Sequence, residues 1–93
     1  MIIKILHQGT LEDKSFIRLI KNACRSLKIR PQIILSENIK EMLDNGVLVS
    51  PGLIINDKLI MQGRKPDLQK VQDILFYTKR KSDTKHSNKK QLA

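Results

Sequence analysis

The chain has no tryptophan, and its aromatic residues are Phe16, Phe76 and Tyr77. That leaves too few rings for the stacking platforms on which single-stranded nucleic acids are bound. Cysteine is as scarce: Cys24 stands alone, so no internal disulfide, CxxC pair or cysteine-rich metal cluster can form. No apolar run comes near the ~18 residues of a membrane-spanning helix. MIIKILHQGT holds too short an apolar stretch for a signal segment and lacks a small-residue cleavage site. Together these absences lead us to expect a protein of a reducing compartment, the cytoplasm, with no membrane span.

Apolar residues make up 40% of the 93, enough for one modest core. The net charge of +9 is uneven. From Thr78 onward six Lys/Arg stand against Asp83 alone, so that +5 of the net +9 falls in the last sixteen residues.

Hydrophobic patterning gives seven elements. IIKIL (2–6) is β-branched-rich and reads as a buried strand. Gly9-Thr10 breaks it, and Thr10 followed by Asp13 three residues on resembles a capping box, with Glu12 and Asp13 suited to a positive helix N-terminus. The helix is expected to run to about Lys28, with Phe16, Ile17, Ile20, Ala23, Cys24 and Leu27 on its inner face. After Pro31, QIIL is a second strand. Ser36 is expected to cap a short helix whose apolar side is Ile39, Met42 and Leu43, and Asn45-Gly46 to end it. VLVSPGLIIN and LIMQ, joined by a turn at Asn56-Asp57-Lys58, read as an antiparallel hairpin. Pro66-Asp67 opens a last helix with Leu68, Val71, Ile74 and Leu75 on one face.

The order β-α-β-α-β-β-α implies a three-layer α/β/α domain over residues 1–77. Its four-stranded mixed sheet would have two parallel strands joined by a right-handed helical crossover, and helices on both faces. Residues 78–93 lack periodicity and read as a basic, disordered C-terminal tail.

VLVSPG poses a question of its own. Proline donates nothing to a sheet ladder, so Pro51 marks either a plain turn or a cis-proline held at a binding edge. The element order, the Gly-containing loop after IIKIL, the helix ending in DNG, the VSPGLIIND segment and Gly63 before the final helix resemble the thioredoxin-like fold. Within it they resemble the small redox-active disulfide proteins. The resemblance covers about residues 1–76. In that family a CxxC opens the long helix, where the dipole and free N–H groups stabilise a thiolate. Its two cysteine positions fall here on Thr10 and Asp13, giving TLED. The resemblance also implies that Ser50-Pro51 is a cis-proline loop facing that position across a groove.

Dithiol–disulfide exchange needs two thiols that can pair, and is therefore not expected. The resemblance implies a redox-inactive binding module whose binding residues are Gly9, Thr10, Ser50 and Pro51, with a peptide or protein as partner and no cofactor. One alternative is a residual thiol-ligand enzyme in which the Thr10 hydroxyl holds a glutathione-type ligand, beside the simpler reading of Thr10 as a cap. Another is a nucleic-acid-associated protein acting through the basic tail, by salt-sensitive phosphate contacts. His7 near Glu12 and Asp13 offers imidazole and carboxylate, but the spacing matches no metal motif. Cys24 lies on the inward stripe, where a free cysteine packs as a small hydrophobe.

Overall fold

The computed structural model describes residues 1–63 and 66–92, with side chains through Lys81. The elements are β1 (Ile2–Leu6), α1 (Leu11–Ser26), β2 (Gln32–Ser36), α2 (Ile39–Asp44), β3 (Gly52–Ile55), β4 (Lys58–Gln62) and α3 (Leu68–Leu92). The four strands form one sheet in the order β2-β1-β3-β4. β1 and β2 are parallel, as their helical crossover requires, and β3 is antiparallel to both β1 and β4.

Strand alternation divides the sheet into two faces. Ile3, Ile5, Leu53 and Ile55 point to one side, where Phe16, Ile20, Ala23 and Cys24 of α1 and Val71 and Leu75 of α3 complete the main core. Leu6 and Ile54 point to the other and pack with Met42 of α2 and Val47. The expected three-layer α/β domain is the observed one.

The hairpin is tighter than expected. Asn56 and Asp57, with φ of 49° and 68°, make a two-residue turn, and Lys58 already belongs to β4, opposite Ile55. Both positions need the left-handed region, which Asn and Asp enter more readily than other side chains. A register shift at Leu53/Ile54 inserts Ile60 as an extra residue in β4.

Three details differ from the sequence reading. Asn38, not Ser36, caps α2: its side chain accepts the Glu41 N–H at 3.1 Å. Ser36 ends β2, and its hydroxyl donates to Glu41 Oε2 instead. In α2 only Met42 is buried, while Ile39 and Leu43 are exposed, because a six-residue helix turns little more than one residue toward the sheet. Finally, α3 has helical backbone to Leu92, beyond residue 77, where the sequence reading ends the domain. After Pro66 no proline or glycine is available to stop it, and Lys, Arg, Gln and Leu lose little on entering a helix. The expected boundary at residue 77 and the charges of the basic stretch turn largely on side chains after Lys81, which lie outside the described residues. No described helix is long and apolar enough to cross a membrane.

Candidate functional site

The candidate site is built where the C-terminal end of β1 runs into α1, beside the loop that enters β3. His7 still belongs to the sheet edge, since its N–H donates to the Ser36 carbonyl at 2.9 Å. Gly9 then turns the chain with a φ of 73°, and a side chain there would meet Glu37 Oε1 at 2.7 Å from its Cβ. The Glu37 side chain is exposed and can move aside, so the positive φ is what favours glycine here.

Thr10 is the N-cap of α1, and its Oγ1 accepts the Asp13 N–H at 3.0 Å. That is the first half of the expected capping box. The reciprocal bond goes elsewhere: Asp13 Oδ2 accepts the Gln8 N–H, two residues before the cap, at 2.7 Å. Asp13 is only 2% exposed, so its carboxylate sits inside the loop it organises. Donors that a helix N-terminus could offer to a ligand are thus partly taken by the chain's own side chains.

His7 is likewise turned to local use. Its Nδ1 accepts the Gly9 N–H at 3.1 Å, which places the proton of the neutral ring on Nε2. The carboxylate it meets is Glu37, with Oε1 3.8 Å from Nδ1, and not Glu12 or Asp13 as the sequence suggested. Among the described residues no group of three or more His, Cys, Asp or Glu side chains is placed to hold a metal ion. Beneath this loop, Glu41 takes hydrogen bonds from Lys4 Nζ and Ser36 Oγ, which hold its carboxyl below the usual 4.5.

The second wall is the segment 46–51. The Ser50–Pro51 peptide bond is cis. Pro51 is buried, and its carbonyl accepts the Gly63 N–H at 2.9 Å. Ser50 Oγ donates to Gln8 Oε1 at 3.3 Å, a direct contact between the two loops. The loop that carries Gly9 and Thr10 and the loop that carries Ser50 and Pro51 are therefore joined through Gln8. Gly52 is needed just behind, because a Cβ there would lie 2.5 Å from Val47 Cγ2.

Sequence reasoning missed three contributors. Gln62, at the end of β4, accepts the Leu48 N–H at 2.7 Å and the Val49 N–H at 3.2 Å, and donates to the Gly46 carbonyl at 3.1 Å. It fastens the whole loop before Pro51. Gln8, which meets Ser50, and Glu37, which meets His7, are the other two. None carries a local signal, since each acts on a segment distant in sequence or across a turn. The exposed apolar side chains around the loops are the other surprise: Leu11 is 84% exposed, Leu48 79% and Val49 59%.

Cys24 lies well along α1 from this site, in the main core and 4% exposed. Desolvation pushes its thiol up from the usual range, which keeps it protonated and unreactive.

A family profile described as a thioredoxin domain matches residues 1–76. No curated protein matches the chain. The family match spans all seven elements up to the first turns of α3 and both loops of the site, and so agrees with the sheet order and the two-faced core. Over residues 1–76 the chain belongs to the thioredoxin-domain family.

Proposed function

We propose that this thioredoxin domain is a binding module, which captures an extended apolar segment of a protein partner beside Gly9-Thr10 and Ser50-Pro51 and does no dithiol chemistry. One observation carries the reading. Leu11, Leu48 and Val49 are exposed around Ser50, whose backbone N–H and carbonyl have no hydrogen-bond partner among the described residues. A backbone donor and acceptor beside apolar side chains suit an extended peptide, which pairs through its main chain and is selected through its side chains.

The absence of dithiol chemistry follows from composition. The single thiol, Cys24, is buried, and TLED occupies the start of α1. The Thr10 oxygen is engaged in capping, which leaves a thiol ligand only the hydroxyl proton to accept. That is a weaker basis for an enzyme than the apolar rim is for a binding surface.

Selection from a random-peptide display library on the intact protein tests the reading. Selected peptides should be rich in apolar residues and should shift the amide resonances of Gly9, Leu11, Val49 and Ser50. Val49→Asp should weaken them by about tenfold, or 1.4 kcal/mol. Peptides that shift only other surfaces would argue against the site.

A further inference from the structure

A concave feature lies at the other end of β3 from the loop site. Ile55 is three residues from Gly52 along that strand, about 10 Å at strand rise. Beside it, the edge strand β4 and helix α3 leave an open cavity of about 870 Å³. The helix explains why the space exists. Val71 and Leu75 are fully buried under the sheet, while the neighbouring stripe of Lys70, Ile74, Tyr77, Thr78 and Lys81 follows the same helical spacing and faces the cavity. Ile55, Lys58 and Ile60 supply the opposite wall. Ile60 is the extra residue of the β4 register shift, so an irregularity of the strand is what adds an apolar side chain here.

The chemistry of the lining is specific. Its body is apolar, from Ile55, Ile60, Ile74 and the Tyr77 ring. Its charged groups are Lys58, Lys70 and Lys81 against Asp73, and Asp73 already accepts a hydrogen bond from Gln69 at 2.9 Å. Among the described residues neither Lys58 nor Lys70 has a carboxylate at ion-pair distance. The volume is within the usual ~300–1,000 Å³ of small-molecule sites.

We propose that this groove binds a small amphipathic carboxylate, an unbranched hydrocarbon chain ending in one carboxylate. The chain lies on the isoleucines and the Tyr77 ring, and the carboxylate is met by the lysines, whose long stems cover apolar surface while their charged ends stay at the rim. The site is separate from the loops of the proposed peptide site, and neither reading depends on the other.

The molecule contains its own reporter, because Tyr77 is the only tyrosine and there is no tryptophan. Decanoate, titrated into the full chain below its micelle-forming concentration, should change tyrosine fluorescence saturably. Decanol should bind about tenfold more weakly, and Lys58→Glu/Lys70→Glu should weaken decanoate by about tenfold or more. Added salt should weaken wild-type binding, a readout that needs no variant. Equal binding of decanol and decanoate, indifference to salt, or no saturable response would overturn the proposal. So would a response to vesicles of anionic phospholipid alone, because that would describe a membrane surface and not a site for a free carboxylate.

Discussion

Asp13 shows how one side chain settles the chemistry of a helix start. A carboxylate at this position takes the Gln8 N–H and is buried by doing so, where a thiol would have left that donor open. Thr10 completes the closure as a cap worth about 1 kcal/mol. At this scale Cys24 and Glu41 give two tests. The native protein should react with a disulfide reagent at neutral pH far more slowly than the denatured chain, because burial raises the Cys24 pKa. Equal rates would show that the thiol is accessible. Glu41 is held by Lys4 and Ser36 and titrates lower in the fold than in the unfolded chain. Its contribution to stability is therefore present above its usual value of 4.5 and is lost as the pH falls below that, through the folded pKa. Glu41→Gln should flatten the acid side of the stability–pH curve and leave its shape above neutrality unchanged. Chemical denaturation at a series of pH values measures this, and an unchanged acid slope would contradict it.

Among the elements, β4 contributes more than its exposed edge suggests. Its last residue, Gln62, makes three hydrogen bonds that secure residues 46–49 and thereby the approach to Pro51. Gln62→Ala should cost about 1–2 kcal/mol, since the freed groups are near water and each bond is worth little net. It should speed amide exchange at Leu48 and Val49 and weaken peptide capture, with Ile3 and Ile5 unchanged. Uniform acceleration across the sheet would instead show a general loss of stability. The elements themselves were legible because they rest on periodicity: the α1 stripe from Phe16 to Cys24, the apolar strands, and the Thr10 cap followed from sequence. The family pattern also pointed to the loop of Gly9 and Thr10 and the loop of Ser50 and Pro51, which meet where Ser50 bonds Gln8. What sequence did not reveal depends on long-range geometry. Gln62 reaches back fourteen residues, Glu37 meets His7 across the β1–β2 edge, and the α2 cap moved to Asn38 because Ser36 was already bonded to Glu41. Nor could pattern alone set the end of α3, where no breaking residue exists to mark it.

At the scale of the whole molecule, the loop site and the α3–β4 groove lie toward opposite ends of β3, each built by a different pair of elements. The loop site has exposed apolar side chains and a Ser50 backbone with no partner among the described residues, and the α3–β4 groove has isoleucines and three lysines in its lining. The central claim is that the domain keeps the thioredoxin architecture around the loop site while the chain has no dithiol to work there. The most direct test is a disulfide-reduction assay with insulin as substrate, on the wild type beside Thr10→Cys/Asp13→Cys, with circular dichroism to check that both are folded. The account predicts no activity in the wild type and measurable activity in the variant, since the two thiols would then stand at the start of α1, in the loop that Gln8 joins to Ser50. Activity in the wild type would contradict it, and a folded but inactive variant would show that the loop site is not the one described.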